Sequence, residues 1–268
     1  SCVACPSGMV SSGAGSCVTK VEKLNLSIIY YIAVPIGVAL LAGVIGLVVF
    51  MEYRRRKNVR NIGNAPRGGD VAIVFTDIQS STKLWGTVPA SMAIALDSHH
   101  AIIRAALAEH GGYEVKTVGD CFMMALHTAE DAVSLCVAIQ RALAAAEWPA
   151  GINEMYLAPS EEALMEIDDD PARMEIAEGP WNGLRVRMGI NFGPTEAIFD
   201  EVTKGYDYYG PTVNVAARVE STATGGQILI SRAVDQLLSP SSNYSVELFC
   251  AVELRGVSGK TELLQVCI

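Results

Sequence analysis

YEVKTVGDCFMMAL, residues 113–126, is the stretch on which the fold turns. Tyr113 to Thr117 and Cys121 to Leu126 read as two strands, and Val118-Gly119-Asp120 between them as a tight hairpin with glycine where the backbone must turn. Upstream, Gly111-Gly112 closes a run of helical periodicity that starts at Ser80, Ser81 and Thr82 and lasts through Ala105 to Glu109. The apolar run Asp70 to Thr76 before it is a short strand. Downstream, an Ala- and Leu-rich helix is expected from Thr128 to Glu147. Leu184 to Asn191 then alternates as a strand, Pro211 to Thr222 is helical, Gly226 to Ser231 is a strand, and two last strands lie near Val246 to Arg255 and Glu262 to Ile268. Strands and helices in this order, with a hairpin in the middle, predict an α+β fold of the ferredoxin-like kind: an antiparallel-rich sheet with helices packed on it. Trp148 to Trp181 interrupts the rhythm with prolines and the acidic run Asp168-Asp169-Asp170-Pro171, and reads as an inserted subdomain. A calcium loop needs glycine at its sixth position, where counting from Asp168 gives Arg173, so the acidic run reads as a solvated face.

Composition sets the outer limits. A chain of 268 residues that is 50% hydrophobic can bury a substantial core. A mean hydropathy of +0.30 points to apolar residues concentrated where water does not reach. The net charge of -9 excludes a nucleic-acid clamp, which needs a basic face to displace counterions. Ile28 to Phe50 carries no charge and, at about 1.5 Å per residue, reaches roughly 35 Å, enough to cross a bilayer core of about 30 Å. Residues 28–51 are therefore expected to form one transmembrane helix. Arg54, Arg55, Arg56, Lys57 and Arg60 follow it in a basic linker over 52–69, which puts the C-terminal part in the cytoplasm and the N-terminus outside a plasma membrane. Residues 1–27, with Cys2, Cys5 and Cys17, read as the tail of a disulfide-bonded ectodomain for an unknown extracellular ligand. Cys121, Cys136, Cys250 and Cys267 fall on the reducing side and read as small apolar residues.

The chemistry is concentrated in residues 70–268. Asp77 closes the first strand of this part and Asp120 sits in the hairpin turn. If those strands are neighbours, both carboxylates emerge at one end of the sheet, as a magnesium site completed by phosphates and water requires. Taken alone, each carboxylate is more often a cap or turn residue, since Asp favours both places. Ile78 to Ser81 leads into a helix start, where backbone N–H groups favour phosphate.

FTDIQSST at Phe75 to Thr82, VKTVGDCFM at Val115 to Met123 and GYDYYGPTVNVAARVES at Gly205 to Ser221 resemble, in the right order, the signature stretches of class III nucleotidyl cyclases. The phrase DEVTKGYDYYG, the insertion and the receptor-like arrangement resemble the trypanosomatid receptor-type adenylate cyclases in particular. The resemblance implies that Asp77, Asp120 and the backbone carbonyl of Ile78 hold two Mg²⁺ or Mn²⁺ ions, and that Ser80, Ser81 and Thr82 meet phosphate. It implies adenine reading by Lys116 and Asp207, a donor and an acceptor that match the N1 and N6 edge of adenine while guanine reverses both. Asn214 and Arg218, one helical turn apart, would orient the ribose and meet charge developing on the α-phosphate. LRGVSGKTEL leaves two candidates for a further phosphate contact, Arg255 and Lys260. GINFG at Gly189 to Gly193 matches the family in a structural role, and His99, His100, His110 and His127 form no metal or triad pattern. The implied reaction is conversion of ATP to 3′,5′-cyclic AMP and pyrophosphate in a site shared between two copies of the domain. The alternatives are a guanylate cyclase, which Lys116 with Asp207 disfavours, and a catalytically silent receptor or dimerisation module.

Overall fold

The computed structural model describes residues 7, 9–11, 17–19, 26–57, 62–157, 181–241, 243–257 and 259–268. The chain divides into two compact units, Ser1–Asn58 and Val59–Ile268. In the first, β1 (Met9–Ser11) pairs antiparallel with β2 (Cys17–Thr19), and α1 (Leu26–Lys57) is one continuous helix. Cys2 and Cys5 lie outside the described residues. The helix runs on through Arg54 to Lys57, which the sequence reading gave to a linker. The side chains described on α1, from Pro35 to Met51, are all exposed. Among the described residues no helix is long and apolar enough to cross a membrane. The side chains of α1 before Pro35 lie outside the described residues, so the span expected at Ile28 to Phe50 is not shown.

The second unit is built on a seven-stranded sheet. Its strands are β3 (Asp70–Ile78), β4 (Tyr113–Val118), β5 (Cys121–Leu126), β6 (Val186–Pro194), β9 (Ile228–Ser231), β10 (Ser245–Glu253) and β11 (Lys260–Cys267), in the order β10-β11-β9-β6-β3-β5-β4. All neighbours are antiparallel except β6 and β9. Alternation along β3 sends Ala72, Val74 and Ile78 into one core layer and Val71 and Ile73 into another. The first layer is covered by α3 (Pro89–Glu109) and α4 (Ala129–Ala145). The second takes Ala216 of α6 (Pro211–Thr222) and Tyr208 of β8 (Gly205–Tyr209), which pairs with β7 (Glu196–Asp200) in a small separate sheet.

The single helix expected from Ser80 to Glu109 is two, α2 (Ser81–Thr87) and α3, divided at Val88. Pro89 causes the break: it lacks an N–H to donate and disfavours helical geometry in the residue before it, and Val88 sits at φ -131°, ψ 55°. Helix α4 starts where the sequence indicates, because the Thr128 side chain accepts from the Asp131 N–H at 3.0 Å and caps it. Within the insertion, α5 (Ile152–Leu157) is described and residues 158–180 lie outside the described residues. Strands β7 and β8 and the short helix α7 (Arg232–Asp235) have no counterpart in the sequence reading.

Candidate active site

Asp77 lies one residue from the end of β3, and Asp120 in the turn that joins β4 to β5. Because β5 is hydrogen-bonded to β3, both carboxylates sit at the same end of the sheet. They are close enough for the Ile78 N–H to donate to Asp120 Oδ2 at 3.3 Å. Directly across from Asp77 on β6 stands Arg187. Its Nη2 donates to Asp77 Oδ2 at 2.5 Å, and its Nε lies 2.7 Å from Glu220 Oε1 without hydrogen-bond alignment. Glu220 comes from α6, whose backbone packs so closely on β6 that Gly189 has no room for a Cβ.

The donor set suits a divalent cation that brings its own partners. Among the described residues no cluster of three or more His, Cys, Asp or Glu is placed to hold a metal. Two carboxylates with the neighbouring carbonyl of Ile78 supply hard oxygen, which is what Mg²⁺ or Mn²⁺ takes when phosphates and water fill the remaining positions. Ser80 follows in a left-handed conformation, φ 59° and ψ 29°, and Ser81 and Thr82 open α2.

Lys116 and Asp207 are brought together. Lys116 Nζ is 3.9 Å from Asp207 Oδ2 on β8. A bulge makes this possible. Tyr113 pairs with Ala125 and faces the second core layer, so strict alternation would turn Lys116, three residues on, to the other face. The register shift between Glu114 and Lys116 sets Lys116 opposite Met123, a residue of that same layer. Met123 is in turn level with Phe75, so the pair lies on the Asp77 face of the sheet, displaced by two strands. Asn214 and Arg218 are both exposed on α6, whose buried face is Thr212, Ala216, Val219 and Glu220. Arg255 and Lys260 are not brought to Asp77. Lys260 opens β11 and Arg255 lies in the turn before it. Register through β9 and β6 puts that turn level with the start of β3, at the opposite end of the sheet from Asp77.

Residues 64–268 match the adenylate and guanylate cyclase catalytic domain. The chain belongs to this family. It is 42% identical over 82% of its length to a receptor-type adenylate cyclase of Trypanosoma congolense, and 40% identical over 85% to receptor-type adenylate cyclase B of Leishmania donovani. It spans only 31% and 18% of the lengths of those two relatives. Among solved structures it is similar to that of adenylate cyclases from Trypanosoma brucei in their monomeric state, with a TM-score of 0.68 and 37% identity, covering 77% of this chain and 93% of that one.

The electrostatics of this cyclase domain centre on Glu220. Burial, helped by the charges of Asp77 and Asp120, pushes its carboxyl up to about 7, and the Arg187 guanidinium opposes this without overcoming it. Cys121, beside the same carboxylates, has its thiol pushed up to about 12, first by burial and then by Asp77, Glu220 and Asp120. A thiol so held is no nucleophile at neutral pH. His99 is fully buried and lowered to about 3, mainly by burial and then by His100, so it stays neutral. His100 contacts the carbonyl of Gly119 at 3.1 Å and so touches the turn that carries Asp120.

Arg187 and Glu220 were missed in the sequence, although both lie inside recognisable stretches. The available signal was a charge at the second residue of VRMGINFGP, an otherwise uncharged central strand, directly opposite Asp77 once β3 and β6 are paired.

Proposed function

We propose that this protein is a receptor-type adenylate cyclase that converts ATP to 3′,5′-cyclic AMP and pyrophosphate. The observation that carries the reading is the grouping, on one face of one sheet, of Asp77 and Asp120 at a strand end with a Lys116–Asp207 pair suited to adenine. In this reading Lys116 donates to adenine N1 and Asp207 accepts from the 6-amino group. Asn214 orients the ribose, and Arg218 meets the charge that builds on the α-phosphate as the 3′-oxygen attacks and pyrophosphate leaves. Two Mg²⁺ or Mn²⁺ ions held by Asp77, Asp120 and the Ile78 carbonyl would activate the 3′-hydroxyl and neutralise the leaving polyphosphate. Arg187, next to Asp77, is the cation best placed for the polyphosphate within the same chain. Arg255 and Lys260 are candidates for that role only at the partner's site, because they stand at the other end of the sheet.

The same reading makes the site a product of two copies. The metal carboxylates of one copy face the base-reading pair and α6 of the other, so a lone domain completes neither site. Helix α1 is taken to cross the plasma membrane once, with the N-terminus outside. Its uncharged run, its exposed apolar side chains and the basic residues that follow support this. The relatives' names, receptor-type, agree with it.

The base-reading pair gives the direct test. Lys116→Glu with Asp207→Cys should shift preference from ATP toward GTP, measured as the ratio of kcat/KM for the two nucleotides. An unchanged ratio would show that these residues do not face the base and would reopen the guanylate cyclase reading. Arg218→Ala should lower kcat by about a hundredfold or more, roughly 3 kcal/mol, with little change in KM. A pure rise in KM would demote Arg218 to ground-state binding.

A further inference from the structure

Helix α5 belongs to none of the signature stretches, yet it is tied firmly to the body of the domain. Ile152 is fully buried, and Asn153 Oδ1 accepts from the Gly183 N–H at 2.5 Å. The Trp148 indole occupies the space that a Cβ on Gly183 would need, at a glycine with φ +80°, and donates to the Leu143 carbonyl at 3.0 Å. Asn182 Nδ2 donates to the carbonyls of Ala144 and Ala146 at 2.9 and 2.8 Å. The two ends of the insertion are thereby anchored to the end of α4.

From this base Tyr156 reaches the chemistry. Its hydroxyl donates to the Gln79 carbonyl at 2.9 Å and accepts from the Arg185 N–H at 3.4 Å, and its ring carries the Arg185 guanidinium at 4.8 Å from the centroid. Gln79 is held at two further points. Its N–H donates to the Arg185 carbonyl at 2.8 Å, and its Oε1 accepts from the Gly225 N–H at 3.0 Å, at a glycine whose missing Cβ leaves room for that side chain. The peptide fixed by Tyr156 is the one between Gln79 and Ser80. Its orientation sets φ of Ser80, a non-glycine residue held at +59° against its own preference. On its other side Gln79 adjoins Ile78, whose N–H is bound to Asp120.

We propose that Tyr156 is a positioning residue for the Ile78–Ser80 loop, so that helix α5 of the insertion sets how well that loop binds metal and polyphosphate. This rests on the cyclase reading above. Without the hydroxyl, the Gln79–Ser80 peptide is free to rotate, Ser80 relaxes toward a right-handed conformation, and the Ile78 carbonyl loses its fixed direction. Burial pushes the Tyr156 hydroxyl up to about 12, so it remains a donor at any working pH.

The test is Tyr156→Phe in the full chain in detergent, a change that keeps the ring over Arg185 and removes only the hydroxyl. KM for MgATP and the Mg²⁺ concentration for half-activation should rise about three- to tenfold, the effect of one lost hydrogen bond, with kcat within about twofold of wild type. Amide hydrogen exchange should accelerate in residues 77–84 and stay unchanged in 122–126. Unchanged KM and exchange would overturn the proposal. So would a fall in kcat alone with uniformly faster exchange, which is what a purely packing role gives. If the wild-type chain makes no cyclic nucleotide, the proposed function fails, but the exchange measurement needs no turnover and still decides the role of Tyr156.

Discussion

Asp77→Ala is expected to abolish cyclic AMP formation, to below about 1% of wild type, under either Mg²⁺ or Mn²⁺. Asp120→Ala should do the same. Each removes one of the two carboxylates of the proposed metal site, and among the described residues no third acidic side chain joins them in a metal-holding group: Glu220 is turned onto Arg187. The fold should survive the loss of Asp77. Asp77 is one of the charges that raise Glu220, so its removal favours ionised Glu220, which then stays paired with Arg187 in place of the lost carboxylate. The thermal midpoint should accordingly move by no more than a few degrees, about 1 kcal/mol for a domain of this size. Substantial turnover in either mutant, or collapse of the fold in both, would contradict the assignment of these carboxylates to metal.

The legible parts of this chain are those where local rules and tertiary packing agree. The hairpin at Val118 to Asp120, the Thr128 cap and the α6 limits at Pro211 and Thr222 each carry a local signal that the fold keeps. The break at Val88–Pro89 was equally local and was overlooked, because helical periodicity continues on both sides of it. Strands β7 and β8 were not legible, since five-residue strands in a two-stranded sheet carry too short a pattern to separate from loop. At the site, motif residues follow from resemblance, and the grouping of Asp77 with Asp120 depends on their strands being neighbours, which the β3–β5 pairing supplies. Arg187 needed the β3–β6 register, and Tyr156 needed a contact across 77 positions. Neither is accessible to a reading that moves along the chain. Lys116 shows the converse: simple alternation gives its face wrongly, and only the bulge brings it to Asp207.

The second large effect concerns two defective proteins. An Asp77→Ala chain and an Arg218→Ala chain should each be nearly inactive, because every site of either homodimer lacks one essential group. In a mixed dimer one site carries both defects and the other carries neither. Activity should therefore return on mixing, to at most about a quarter of wild type under random pairing, since half of the dimers are mixed and each has one intact site of two. The recovery should grow with total protein concentration, as mass action fills a weak dimer. The decisive measurement is the rate of 3′,5′-cyclic AMP formation from ATP by the 1:1 mixture, with cross-linking to count mixed dimers. A shared site predicts recovery in proportion to the mixed dimers; mixed dimers that form and make no cyclic AMP would contradict it.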